Sequence, residues 1–147
     1  MAFAWLRITM ELDLTLPALT PLATALVIDD DEDIAYLLKQ LLLRDGFIVH
    51  VAKNGRDASE FIATAKPTDV VLTDLMLPYV SGFELITQIR EDKQWSEVPI
   101  IVLSGKVTER DAVRALDMGA NDYVTKPYSP QELSARIKRH LKPRQRA

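Results

Sequence analysis

From Ala25 onward the apolar residues fall into two alternating periods. Short apolar runs at 26–28, 70–72 and 100–103 have the length and content of buried strands. Phe47, Val49 and Val51 alternate as a half-buried strand, and Tyr123 with Val124 makes a fifth. Between the strands the period lengthens. Ile34, Leu37, Leu38, Leu41 and Leu42 recur at helical spacing up to a stop at Gly46. Asn54 and Gly55 give a turn signal. Ala58, Phe61, Ile62 and Ala65 then predict a second helix, closed before Pro67. Phe83, Ile86 and Ile89 predict a third helix, and Val113 with Leu116 a fourth that ends near Gly119. The last helix carries the most signals. Ser129 can cap it, Pro130 suits its first position, Glu132 completes a capping box, and Leu133, Ile137 and Leu141 supply a buried stripe.

Five strand–helix units in strict alternation predict an α/β fold, a doubly wound parallel sheet with helices on both faces in three layers. Residues 25–142 make up this domain. Residues 1–24 form an N-terminal extension, in which Ile8, Met10, Leu12, Leu14 and Leu16 alternate with Thr9, Glu11, Asp13 and Thr15. Pro17 and Pro21 then break the pattern. The alternation predicts an extra strand over 8–16 that adds to a sheet edge of the same chain or of a neighbour. The competing reading is a disordered leader, or a true start at Met10. Residues 143–147 are a basic tail or the start of a linker.

Length and charge narrow the function. A chain of 147 residues fits one ordinary domain. A net charge of −3 argues against direct nucleic-acid binding through broad phosphate neutralisation. The absence of cysteine removes disulfides, thiolate metal sites and thiol nucleophiles. Arg7, Glu11 and Asp13 interrupt the apolar N-terminus, unlike a secretory signal, and no run reaches the length of a membrane span. A soluble, cytoplasmic protein without membrane contact is the expectation.

In open parallel sheets the chemistry gathers at the carboxyl ends of the strands. Strand one ends in Asp29, Asp30 and Asp31, strand three in Asp74, strand four in Ser104 and strand five in Lys126. Clustered carboxylates repel one another unless a cation resides among them. A hard divalent ion with oxygen ligands such as Mg²⁺ answers that need. Lys126 and Ser104 suit phosphoryl oxygens, as a point charge and a hydrogen-bond donor. A carboxylate in such a site can be a nucleophile that forms an acyl phosphate. Asp31, Glu32 and Asp33 serve more plainly as acids at the start of the first helix.

The strings LVIDDDEDI, VVLTDLMLPYVSGFEL, PIIVLSGK and GANDYVTKPYSPQEL, in that order, resemble the receiver domains of bacterial two-component response regulators. The resemblance covers about residues 25–142 and implies a flavodoxin-like strand order 2-1-3-4-5. It implies that Asp74 is the phosphoacceptor and that Asp29, Asp30, Asp74 and the backbone carbonyl of Met76 hold Mg²⁺, with Mn²⁺ as a substitute. Lys126 would pair with the phosphoryl group and precede a cis Pro127. Ser104 and Tyr123 occupy the switch positions: Ser104 moves toward the phosphoryl group and Tyr123 turns inward behind it. Met76 and Lys106 flank the site where water would attack, which implies a persistent phosphorylated state. The implied partner is a histidine kinase or a histidine phosphotransfer protein.

The stretch from Arg114 to Arg136 resembles the subfamily with winged-helix output domains. There Arg114, Asp122, Glu132 and Arg136 match positions that pair across a homodimer through helix four, strand five and helix five. Asn121 departs from the acid usual at its position. Two rival functions share parts of this pattern. A haloacid-dehalogenase-type phosphatase shares the D-x-D of Asp29 and Asp31, but Asp33 replaces its usual Thr or Val and the later acidic pair is missing. A phosphorylation-independent interaction module would keep the fold, but such receivers usually lose an acid or the lysine. His50 and His140 lack neighbours for a triad or metal site in the sequence and are expected to be structural or solvated.

Overall fold

The computed structural model describes residues 23–105 and 108–142. The strand expected over 8–16, Lys106 and the tail at 143–147 lie outside the described residues. Five strands, β1 (Thr24–Ile28), β2 (Ile48–Ala52), β3 (Val70–Thr73), β4 (Ile100–Ser104) and β5 (Asp122–Thr125), alternate with five helices. The helices are α1 (Glu32–Arg44), α2 (Gly55–Thr64), α3 (Gly82–Glu91), α4 (Glu109–Met118) and α5 (Pro130–His140). Every described strand pair is parallel, in the order β2-β1-β3-β4-β5. The doubly wound expectation holds.

Strand alternation divides the core into two layers. Leu26 and Ile28 face Ala58, Ile62, Leu85, Ile86, Ile89 and Ala115 from α2, α3 and α4. Ala25 and Val27 face Leu38, Leu42, Leu133 and Ile137 from α1 and α5. Burial on both sides is why β1, β3 and β4 read as unbroken apolar runs. Each fully buried Leu or Ile contributes about 1.5–3 kcal/mol. The edge strand β2 is different, with Ile48 and Val51 exposed. Among the described residues, no helix is long and apolar enough to cross a membrane.

Each helix starts on a side chain that accepts hydrogen bonds from its first turn: Asp31, Asn54, Ser81, Thr108 and Ser129. Three local expectations change. Asn54 and Gly55 do not form a free turn. Asn54 caps α2, and Gly55 begins it because a Cβ there would lie 1.7 Å from the Val80 carbonyl oxygen. Ser129 accepts from the Glu132 N–H, but the Glu132 carboxylate turns to Arg136, and a complete capping box forms between Ser81 and Glu84 instead. In α4, Ala115 makes the buried contact, whereas Val113 and Leu116 remain exposed.

Candidate functional site

Parallel register brings the strand ends together. Ile28 lies opposite Thr73, Thr73 opposite Val102, and Ser104 opposite Thr125. The residues at these ends, Asp29, Asp74, Ser104 and Lys126, therefore share one cleft, as their positions in the sequence predict. Lys126 Nζ donates to Asp29 Oδ2 at 3.0 Å and to Asp74 Oδ2 at 3.3 Å. Asp74 Oδ1 accepts from the Ser104 hydroxyl at 3.0 Å and from the Met76 N–H at 3.2 Å. Asp29 is only 3% exposed, and its Oδ1 accepts from the Asp31 N–H. Asp29, Asp30 and Asp74 each present an oxygen within 4.8 Å of the others. The Lys126-Pro127 bond is cis, as the resemblance implies.

Burial raises the Asp29 pKa above its ordinary value, and the Asp31 N–H and Lys126 offset this only in part. Burial pulls Lys126 the other way, but its hydrogen bond to Asp29 and the charges of Asp74 and Asp29 outweigh it, so its pKa is raised. The ammonium is therefore held charged. Three carboxylates still face one ammonium, and the excess negative charge with oxygen-only donors fits a hard divalent cation. Asp31 does not join this set: its carboxylate caps α1 by accepting from the Asp33 and Ile34 N–H groups. That disposes of the D-x-D reading.

Tyr123, the second expected switch residue, lies on β5 opposite Val102 of β4. Its ring already packs against the core and its hydroxyl is buried without a hydrogen-bond partner. Burial raises the phenol pKa, and Ser104 lies close enough to ease the shift but outside hydrogen-bonding geometry. The sequence reading also missed Gly82. A Cβ there would lie 2.3 Å from the Asp74 carbonyl oxygen, and its N–H donates to the Leu75 carbonyl. The start of α3 thus presses directly on the segment that carries Asp74. The Ser81 cap followed by Gly82 was the only signal available.

Of the four residues expected on a dimer face, three form an intrachain network. Arg136 donates to both oxygens of Asp122 and to Glu132. His140, expected to be structural or solvated, lies 3.1 Å from Asp122 Oδ2. Arg114 stands apart on α4, its guanidinium 4.1 Å over the Phe83 ring. Asn121 is structural, accepting from Arg90 and from the Ile100 N–H. His50 packs its ring against Phe61.

A family model described as the response regulator receiver domain matches residues 25–138. The chain belongs to that family. The receiver is 43% identical over 117 residues to the alkaline phosphatase synthesis transcriptional regulatory protein PhoP of Bacillus subtilis (strain 168), covering 80% of this chain and 48% of the relative. The chain thus spans about half the length of this curated relative. Its fold is similar to that of the chemotaxis response regulator CheY4 of Vibrio cholerae, with a TM-score of 0.76 and 27% identity over 82% of this chain and 100% of that one. It is also similar to the receiver domain of the sensor histidine kinase PA1611 from Pseudomonas aeruginosa PAO1. That structure, with a magnesium ion coordinated in its active-site cleft, gives a TM-score of 0.73 and 26% identity over 81% of this chain and 97% of that one. The protein is a receiver domain of two-component signalling, a regulatory domain.

Proposed function

We propose that this receiver takes a phosphoryl group on the Asp74 carboxylate and signals through the surface of α4, β5 and α5. The observation that carries the reading is the setting of Asp74, one oxygen on the Ser104 hydroxyl and the other on the Lys126 ammonium. An Asp74 oxygen bonds to phosphorus as the P–N bond of a phosphohistidine breaks. The electron pair leaves with the imidazole, which takes up a proton. The donor is a histidine kinase or a histidine phosphotransfer protein. Asp29, Asp30, Asp74 and the Met76 carbonyl are the proposed holders of Mg²⁺, or Mn²⁺ in its place. When bound, the ion neutralises charge on the transferring group. Lys126 shares that task, and its raised pKa keeps it cationic.

Apart from its own phosphorylation and dephosphorylation the domain catalyses nothing. Its proposed location is the cytoplasm, and residues 1–24, 25–142 and 143–147 are its extension, receiver and tail. Ser104 and Tyr123 couple the acyl phosphate to α4 and β5 as a shift between two packings. The exposed apolar Val113 and Leu116 on α4 support a docking role for that face. A homodimer there would redirect Asp122, Glu132 and Arg136 from their intrachain bonds toward a second copy, with Arg114 alongside. Incubation with acetyl phosphate and Mg²⁺, followed by intact-mass analysis, tests the reading. A single phosphoryl adduct that requires both the metal and Asp74 is expected. Its absence in a folded protein would leave a phosphorylation-independent binding module.

A further inference from the structure

The loop that leads from Asp74 to α3 contains a strained residue. Among the described residues, Tyr79 is the non-glycine with a positive φ, +72°. A bulky side chain is rarely found there. The Val80 N–H donates to the Pro78 carbonyl at 2.9 Å, which makes Tyr79 the centre of a three-residue γ-turn of the strained, positive-φ kind. Burial does not hold it, because Tyr79 is 71% exposed. Such a conformation persists where its surroundings impose it. The first turn of α2 does so. The Gly55 N–H donates to the same Pro78 carbonyl at 3.1 Å. The Val80 carbonyl oxygen lies 1.7 Å from where a Cβ on Gly55 would stand, an approach that only glycine allows. The Arg56 guanidinium lies 4.0 Å over the Tyr79 ring. Gly55 and Arg56 thus meet three consecutive residues of the loop.

The other end of the loop is tied at its stem, where the Gly82 N–H donates to the Leu75 carbonyl. Between stem and turn lies Met76, whose N–H donates to Asp74 Oδ1 at 3.2 Å. Met76 is 68% exposed, so core packing does not fix it. Its place beside the carboxylate depends on the ties at the two ends of the loop. We propose that Arg56 and Tyr79 are positioning residues for this site: their contact clamps the strained turn to α2 and so holds Met76 against the Asp74 carboxylate. The proposal rests on the reading of Asp74 and the Met76 carbonyl as holders of a divalent cation. With the clamp in place the loop is ordered before an ion arrives. Without it, ion binding must also order the loop, and affinity falls.

Titration of the whole 147-residue chain with Mn²⁺ alone, the free ion being read from its paramagnetic resonance, tests the proposal. The dissociation constant is expected to rise about threefold in Arg56→Ala and in Tyr79→Ala, the size of one exposed cation–ring contact. The double variant is expected to match either single one, because each removes the same contact. Tyr79→Phe keeps the ring and should bind as the wild type does. So should Tyr36→Ala, which removes another exposed tyrosine, on α1. Tyr79→Gly separates position from stability: glycine takes a positive φ without strain, yet the ring is gone and affinity should still fall. Unchanged affinity in Arg56→Ala and Tyr79→Ala would overturn the proposal and leave the metal reading standing. So would losses that simply add in the double variant. A folded wild type that binds no Mn²⁺ would overturn both.

Discussion

The Ser104 hydroxyl donates directly to Asp74 Oδ1 at 3.0 Å, so the residue expected to travel on phosphorylation already lies beside the Asp74 carboxylate. The partly buried Tyr123 ring likewise already packs against the core, with its hydroxyl buried. In the switch proposed above, the phosphoryl group changes what these side chains favour rather than moving them far. A hydrogen bond to a charged group is worth about 1.5 kcal/mol or more. Ser104→Ala is expected to slow phosphoryl uptake from acetyl phosphate by about tenfold while still ending in a single adduct at Asp74. A mass-spectrometric time course checks this, and uptake at the wild-type rate would remove the hydroxyl from the reaction.

Lys126 is the ammonium that faces Asp29 and Asp74, with its side chain 18% exposed. Lys126→Ala leaves Asp29 buried beside other carboxylates. In metal-free buffer this is expected to cost about 1–3 kcal/mol, less than a fully buried pair because solvent reaches the site. Mg²⁺ should then restore more stability to the variant than it adds to the wild type, since a ligand stabilises the folded state it binds. Urea midpoints with and without Mg²⁺ decide the matter. An equal Mg²⁺ effect in both proteins would count against a metal on these carboxylates.

Much of this site was legible because apolar strands end abruptly in polar residues, and parallel sheets collect those ends on one edge. Asp29, Asp74, Ser104 and Lys126 came from that rule alone. What was not legible depends on distant backbone. Gly82 and Gly55 are demanded by the Asp74 and Val80 carbonyls, contacts that no local pattern encodes. The pairing of His140 with Asp122 needs the orientation of α5 on the sheet, across 18 positions of sequence. Val113 and Leu116 revealed a helix by their spacing, but spacing does not tell a buried stripe from an exposed one.

Asp122 gives the fold a pH-dependent element. Burial pushes its pKa up, but bonds from His140, the Tyr123 N–H and Arg136 outweigh this, and the net shift is downward. A carboxylate with a lowered folded-state pKa adds stability above its unfolded value, near pH 4. That stability is lost as pH falls through the folded value. Asp122→Asn is expected to cost about 1 kcal/mol at neutral pH. The gap between the two proteins should close as pH falls through that folded value. Urea midpoints across that range measure it, and a gap that persists in acid would trace the loss to packing.

Gly82 and Gly46 separate a site effect from a general loss of stability. At Gly82 a Cβ would meet the Asp74 carbonyl oxygen at 2.3 Å and the Leu75 Cα at 2.7 Å, backbone atoms that cannot swing aside. Gly46 has a φ of +88° with nothing within 4 Å of the added Cβ, so alanine there meets strain in the turn but no neighbour. Both alanine variants are expected to lose about 1–2 kcal/mol, one through overpacking and the other through its backbone. Only Gly82→Ala displaces the segment that bears Asp74. Its rate of phosphoryl uptake should therefore fall about tenfold or more, while Gly46→Ala keeps the wild-type rate, because misplacing a reacting group by even about 1 Å is costly. Parallel time courses at a temperature where both variants are folded make the comparison. Equal rates in the two variants would mean that α3 does not set the position of Asp74.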